Sequence, residues 1–534
     1  MNKLDFLFNY LATENFQIDK KEFDYQFNSH PNFPSLLAIS DTLSFFNINN
    51  GALKISPDQI ELLPDNFIAQ LKYDEIYYHT HVERKGDKFI YFNEESKKLV
   101  EISIEELASI WDNIVLLVEQ DENVISNSSN SKSYHILNIL FLVVLAVFMS
   151  LTSPPIEVIF FYLFSVTGLI LSLGALKDLI GGNNKFLSKF CDTGGDSSCE
   201  DVVNSSKWKL FKYLSFSDLS IIFFATQIVT LFLMSFNGLS DEFFLIQFIL
   251  LIISLPIVFT SIYYQKFVEK KWCFICLSII GVIIAELVYI LSIGMSIELV
   301  GLSDILFYSL IGLFILTIWF PLKGILVQMK ELKEVELNAN RFRRNYNIFK
   351  NLLVSKPKYE VIENPITLGN RNAELRIDFI TSPYCAYCAE PHKMLKNILE
   401  NNENDIAVSV IYNFDIDNNE NEDTKSLYRN LLNIKIQDGD EKYLKAVNDW
   451  IQNKNHKDWL NKYNSEFDTD RIDSILRAHY QWCTDNKFNF TPCLLINGYR
   501  FPDVYENTDL KFFINELSHD KTIKILKAET EKLY

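Results

Sequence analysis

The stretch Trp272-Cys273-Phe274-Ile275-Cys276 runs without a break into LSIIGVIIAELVYILSIGM, residues 277–295. It reads as a membrane-spanning helix with a Cys-x-x-Cys pair in its first turn. At that spacing both thiols fall on one helical face and can close a small disulfide ring. The positive end of the helix dipole favours a thiolate there. The pair is suited to redox chemistry, at a water–lipid boundary within reach of something dissolved in the membrane. The plain alternative is two small buried hydrophobes, because free cysteine packs well in apolar helices. The remaining cysteines shift the balance toward redox chemistry.

The 534 residues contain eight cysteines, Cys191, Cys199, Cys273, Cys276, Cys385, Cys388, Cys483 and Cys493. They form four successive pairs, and an even count in pairs suits disulfide chemistry. Zinc fits poorly: the two Cys-x-x-Cys pairs lie far apart in the chain, and only His392 stands near either as a further ligand. A net charge of −18 argues against nucleic acid as a partner. With 48% hydrophobic residues, 17 Gly and 14 Pro, the chain is neither disordered nor fibrous. Its length leaves room for several domains.

Outward from the opening stretch, six apolar runs are expected to cross the membrane, at about 134–152, 156–176, 217–236, 243–264, 274–295 and 304–322. Each is long enough, or nearly so, for about 30 Å of hydrocarbon. Ser153-Pro154-Pro155 breaks the first two into a hairpin. A large soluble core is excluded, because the runs have no amphipathic faces. The loop GGNNKFLSKFCDTGGDSSCEDVVNSSKWKLFKYLSFS carries Cys191 and Cys199. Counting spans puts that loop, Cys273–Cys276, the N-terminal domain and everything after residue 323 on one side of the membrane. All eight cysteines then share a face, as an electron relay needs. A helix-bundle site there could also admit a lipid-soluble ring between the spans.

This constellation resembles the vitamin K epoxide reductase family and its bacterial homologues. The matching features are the loop pair Cys191 and Cys199, the stretch Ser205-Ser206-Lys207-Trp208, and the Cys-x-x-Cys opening the fourth helix of a four-helix core at 156–295. The resemblance implies that Cys273 and Cys276 react with a quinone, ubiquinone or menaquinone, with Cys276 nearer the ring. It implies that Cys191 and Cys199 carry electrons to them, and that Ser205 is the serine of the quinone site. Animal members have a quinone-contacting Tyr one turn beyond the second Cys. Here Ile280 stands in that place.

Residues 1–125 read as a soluble α+β domain. KLDFLFNYLATENF and SLLAISDTLSFFNI have helical periodicity, the second introduced by Pro34 and Ser35, and IYYHTHVE, KFIYFNE and KKLVEIS are strand-like. HPNFPSLLAISDTLSFFNINNGALKI, with the two-strand ending, resembles the papain-like cysteine peptidase domain of bacteriocin exporters. In that family the second helix opens with the nucleophilic Cys. Here it opens with Pro34-Ser35, and His79 and His81 have no thiol to activate. The resemblance implies an inactive peptide-binding module, with a merely structural domain as the alternative. ENVISNSSNSKS, residues 122–133, is the linker that ends it.

After the last span, residues 328–358 read as a charged helical connector, a solvated stalk whose Arg341, Arg343 and Arg344 are expected to rest on lipid headgroups. Residues 359–520 follow with AELRIDFITSPYCAYCAEPHKMLKNILE, a strand, a turn and a Cys-x-x-Cys at a helix start. IAVSVIYNF is a parallel-type strand, about 424–486 a helical insertion, and FTPCLLINGYRFPDVY a further strand. This order resembles the periplasmic branch of the thioredoxin fold. The resemblance implies exchange chemistry at Cys385 and Cys388, faced by a cis-proline loop at Thr491-Pro492. Cys493 is free or paired with Cys483; the sequence leaves both open.

The expected architecture is multi-domain: a papain-like α+β domain, a polytopic membrane bundle over 134–327 with two spans flanking its four-helix core, and an α/β thioredoxin-like domain. The expected activity is oxidation of protein or peptide dithiols, bacteriocin-like peptides among them, with electrons passed to the quinone pool. A non-catalytic peptide-export or chaperone component, stapled by structural disulfides, is the competing reading. The cysteine-bearing side is rich in Lys and the opposite loops have no Lys or Arg, which by the positive-inside rule would make that side cytoplasmic. MNKLDFLFNYLATENF is too polar for a cleavable signal peptide. Disulfide chemistry belongs in oxidising compartments, and on that ground the cysteine domains are expected in the periplasm, on a bacterial inner membrane.

Overall fold

The computed structural model describes residues 4–119, 155–176, 209–210, 214–270, 272–294 and 300–523, apart from 74–75, 94–97, 363, 403 and 419–420. The first apolar run, Cys191, Cys199 and Ser205 lie outside the described residues. The chain divides into two compact units. One comprises Met1–Glu22 with Gly51–Glu336, the other Phe23–Asn50 with Leu337–Tyr534.

In the first unit, helix α1 (Asp5–Thr13) covers a six-stranded sheet. Helices α2 (Lys20–Asn28) and α3 (Leu36–Phe45) follow α1 in the chain and belong almost wholly to the second unit. The strands are β1 (Asn50–Lys54), β2 (Asn66–Tyr73), β3 (Ile76–Lys85), β4 (Lys88–Asn93), β5 (Lys98–Ser103) and β6 (Trp111–Val118). Their order is β1-β6-β2-β3-β4-β5, antiparallel from β6 through β5. Alternation sets the faces: in β4, Phe89 and Tyr91 point inward while their neighbours stay partly exposed. Before β6, helix α4 (Ile104–Ile110) is started by a capping box between Ser103 and Glu106. Tyr10 of α1 ties the helix to the sheet by accepting from the Val118 N–H at 3.1 Å.

Among the described residues, five helices are long and apolar enough to span a membrane: α5 (Ile156–Gly174), α6 (Phe216–Phe236), α7 (Ser240–Tyr263), α8 (Phe274–Ile293) and α9 (Leu302–Arg343). They fall on the last five of the six expected runs. Gly168 lets α5 and α6 approach closely, because a Cβ there would meet the Phe224 ring at 2.3 Å. Ser215 and Asp218 form a capping box that starts α6. Asp218 then accepts from Trp319 at 3.0 Å and pairs with Lys323 at 2.5 Å, fixing α6 to α9. At its far end α8 stops at Gly294, whose φ of 67° suits glycine.

In the second unit, α9 runs into α10 (Tyr346–Val354), whose Phe349 stacks on Phe513 at 4.0 Å. The sheet has strands β7 (Thr367–Gly369), β8 (Leu375–Thr381), β9 (Ile406–Tyr412), β10 (Cys493–Ile496) and β11 (Tyr499–Arg500). Their order is β11-β10-β8-β9-β7, with β8 and β9 parallel and the other neighbours antiparallel. Every residue of β9 is buried, as a central strand covered on both faces requires. Helix α11 (Ala389–Asn401) follows β8. The insertion is helical: α12 (Glu422–Asp438), α13 (Asp440–Asn453), α14 (His456–Tyr463) and α15 (Thr469–Asp485).

The arginines of the connector correct an expectation. They engage protein rather than lipid headgroups. Arg341 donates to the Asn28 carbonyl at 2.7 Å and lies over the Phe33 ring. Arg343 pairs with Asp509 at 3.1 Å. Arg344 donates to Gln26 at 2.8 Å and covers the Phe512 ring at 3.8 Å. A planar guanidinium matches fixed acceptors and aromatic faces, and only folding brings those within reach.

Candidate functional site

At the head of α8, Cys273 is the N-cap residue and its sulfur accepts from the Cys276 N–H at 3.3 Å. The Cys273 sulfur lies against that of Cys276, the two 2.7 Å apart. Cys273 is 0% and Cys276 5% exposed. They share a buried cluster with Val258, Ile279, Ile280 and Ile283. Ile280, where a Tyr was the family expectation, is part of that apolar wall. Gln265, wholly buried just after α7, accepts from the Cys273 N–H at 2.9 Å and so fixes the cap residue. In the sequence Gln265 carries no signal beyond that of a lone amide at the end of an apolar run.

A quinone fits this environment by the character of its lining. The thiol of Cys276 is enclosed by branched apolar side chains that suit an apolar ring and tail, and water has little access to it.

The second centre sits where β8 turns into α11. Cys385 is half-buried and Cys388 buried. The Cys385 thiol donates to the Thr491 carbonyl at 3.4 Å, and the Thr491–Pro492 peptide bond is cis. Burial works against ionisation of Cys385. Hydrogen bonds from the Thr491 side chain, the Cys388 thiol and the N–H groups of Tyr387 and Cys388 outweigh it, and the net shift is downward. Burial pushes the Cys388 thiol up to about 11. One sulfur is thus ready to attack and its neighbour is held in reserve as a thiol.

Side chains absent from the sequence reading of this site support the turn. Thr381 bonds His392 at 3.1 Å, and burial lowers His392 to about 4, so the ring is neutral. Tyr428 bonds Ser382 at 2.7 Å and Trp450 donates to the Pro383 carbonyl at 2.9 Å, so the insertion clamps the turn that carries Cys385. Tyr384, Tyr387 and Phe490 remain exposed, Tyr387 at 83%. Cys483 and Cys493 are free, buried members of one apolar cluster. Burial raises them to about 12 and about 11, so both stay thiols.

In the N-terminal region, Ser35 serves as the N-cap of α3, its hydroxyl accepting from the Ala38 N–H at 3.3 Å. His79 stacks on Phe6, and His81 bonds Asn66 at 3.1 Å and packs on Tyr10. Burial lowers the pKa of both histidines. They act as packing groups between α1 and the sheet.

Comparison with known proteins gives two family matches. Residues 159–291 match the vitamin K epoxide reductase family, and residues 362–516 match a thioredoxin family. No curated protein matches the chain. Among solved structures, a periplasmic thioredoxin-like protein from Salmonella enterica serovar Typhimurium is 17% identical, covering 33% of this chain and 98% of that one, with a TM-score of 0.25. The thiol-disulfide exchange protein alpha-DsbA2 from Wolbachia pipientis is 15% identical over 32% of this chain and 92% of its own, with a TM-score of 0.24. The peptidase domain of Streptococcus ComA is 13% identical over 21% of this chain and 85% of its own, with a TM-score of 0.19. Structural likenesses this weak carry no argument about activity. The two family matches and the two cysteine centres make this a membrane protein with thiol–disulfide oxidoreductase domains.

Proposed function

We propose that this protein is a membrane thiol–quinone oxidoreductase fused to its own thioredoxin-like partner, and that it oxidises protein or peptide dithiols. The observation that carries the reading is the contrast between two Cys-x-x-Cys centres in one chain. Cys385 is accessible and inclined to ionise, whereas Cys273 and Cys276 are sealed in the apolar head of a membrane helix. The first suits exchange with a protein in water, the second exchange with a lipid-soluble acceptor.

The substrate's disulfide forms as its thiolate attacks the Cys385–Cys388 disulfide and a second substrate thiolate resolves the mixed species. Two electrons then rest on Cys385 and Cys388. They pass by the same exchange to Cys191–Cys199 and on to Cys273–Cys276. A bound quinone, ubiquinone or menaquinone, supplies a two-electron, two-proton acceptor. Ile279, Ile280 and Ile283 beside Cys276 would hold its apolar body, and Ser205 is the family position for a polar contact. A respiratory quinone pool is a strong oxidant for such dithiols, which sets the direction. Tyr384, Tyr387 and Phe490 offer substrates an apolar rim around Cys385.

Residues 1–125 are proposed to bind peptide leaders of bacteriocin type without cutting them. A peptidase of this kind needs a thiol nucleophile, and Ser35 is committed to capping α3. The cysteine domains are proposed to face the periplasm from a bacterial inner membrane. Labelling of Tyr-flanked Cys385 by an impermeant maleimide in intact spheroplasts tests that orientation, and protection until lysis would reverse it.

The decisive assay follows quinone absorbance after ubiquinone or menaquinone is added to the reduced full-length protein. Quinone reduction that Cys276→Ala abolishes is expected; no reduction, or undiminished reduction in that variant, removes the quinone from the reading. A Cys388→Ser variant should trap Cys385 in a mixed disulfide with Cys191 or Cys199, visible by mass spectrometry. Recovery of intra-domain pairs alone would break the relay.

A further inference from the structure

Five membrane helices each place a polar side chain at one depth, far from the cysteines. They are Tyr162 on α5, Gln227 on α6, Gln247 on α7, Glu286 on α8 and Tyr308 on α9. Counted from the helix ends opposite Cys273, all five lie about 9–14 Å in. Glu286 is ten residues beyond Cys276 on the same buried face of α8, about 15 Å along the axis. Gln227 donates to Glu286 Oε2 at 2.8 Å, and Tyr308 donates to Gln247 Oε1 at 2.7 Å. Glu286, Gln227 and Gln247 are 0% exposed.

This layer is incompletely satisfied. Among the described residues Glu286 Oε1, Gln227 Oε1, Gln247 Nε2 and Tyr162 Oη have no hydrogen-bond partner. No ion pair among the described residues reaches Glu286; the bundle's Asp218–Lys323 pair belongs to the cysteine end. Among the described residues, Tyr308 on α9 is the titratable group within electrostatic reach of Glu286. The layer receives Tyr162 from α5, while α6 and α7 contribute the neutral Gln227, Thr226 and Gln247. On α8 itself, Tyr289 is engaged with the Glu157 carbonyl. An ionised carboxylate here would be an uncompensated charge in hydrocarbon. A carboxyl that holds a proton becomes a donor, and Gln227 Oε1, an acceptor without a partner among the described residues, can receive it.

The nearer membrane face is acidic. Glu157, Asp241, Glu242 and Asp304 lie in the first turns of α5, α7 and α9, and the intervening loops have no Lys or Arg. Such a face concentrates protons at its surface.

We propose that Glu286, framed by Gln227, Gln247 and Tyr308, is a proton-holding site that supplies the bundle with protons from the face opposite the cysteines. The inference rests on the quinone-linked reading above. Each disulfide formed takes two electrons and two protons from the substrate thiols, and those protons leave to water on the cysteine face. The two protons that accompany reduction of the quinone are drawn through Glu286 from the other side. Turnover is then a charge-separating process.

The experiment uses the full-length protein in liposomes with ubiquinone, a trapped pH dye, and a membrane-impermeant reduced dithiol peptide outside. The lumen should lose two protons per disulfide formed, and Glu286→Gln should slow that uptake by about 100-fold, the size of a lost proton donor. Independently of turnover, infrared spectra of the quinone-free protein should contain a protonated-carboxyl band that shifts in D2O and is missing in Glu286→Gln. Should that variant misfold, Glu286→Asp should keep the band at a shifted position. An absent band, a band that Glu286→Gln retains, or turnover without lumenal proton loss overturns the proposal. A band that behaves as expected in a protein that reduces no quinone means that the quinone reading has failed, and the supply role falls with it.

Discussion

The two Cys-x-x-Cys pairs have the same spacing and both stand at helix starts, yet their surroundings are opposite. At Cys385–Cys388 the two sulfurs are split: one is reachable and pulled toward the thiolate, the other is buried and raised to about 11. At Cys273–Cys276 both are buried and enclosed by apolar side chains. Exchange with a protein needs an asymmetric pair, in which one sulfur attacks and the other resolves. Exchange with a membrane-dissolved partner needs exclusion of water. Motif spacing is therefore permissive, and the shell around it selects the partner.

The largest test separates the pairs. Cys385→Ser should lower reduction of a fluorescent disulfide peptide by at least about 1,000-fold, as loss of a covalent nucleophile does. Cys276→Ala should leave that reaction unchanged. Equal damage from both would erase the contrast.

A pH series sharpens it. Because the Cys385 pKa is lowered, its thiolate persists as pH falls toward neutrality, and iodoacetamide should modify it there. Cys388, raised to about 11, should stay unmodified until the solution is strongly alkaline. Mass spectrometry of alkylated peptides reads both, and matching profiles would deny the split.

Gln265→Ala leaves the Cys273 N–H buried without its acceptor, a loss of about 1–3 kcal/mol. Thermal unfolding of the membrane domain should shift downward and quinone-linked activity should fall, with disulfide-peptide reduction untouched. The smallest effect is expected at Trp450→Phe, which removes only the bond to the Pro383 carbonyl, about 0.5–1.5 kcal/mol. Its readout is a modest slowing of the Cys385 reaction, and an unchanged rate would free the insertion from any part in holding the turn.

Sequence alone determined the elements that repeat a simple pattern. Apolar runs of membrane length, the strand-like run KFIYFNE and a Cys-x-x-Cys after a strand are local signals, each produced by neighbours in the chain. Span lengths, the parallel pair β8–β9 and the helical insertion were legible for that reason. Tertiary structure alone decided what depends on distant residues meeting. Gln265 supports Cys273 from the preceding helix, and Tyr428 and Trp450 reach the Cys385 turn from an insertion dozens of residues away. Arg341, Arg343 and Arg344 read as membrane-surface charges until Asn28, Asp509 and Gln26 were placed beside them. Glu286 stands alone as an acid in its apolar run, and it joins a polar layer only because Gln227 meets it from another helix. Hydrogen-bond partners and burial arise from packing across the chain, and no local pattern encodes them.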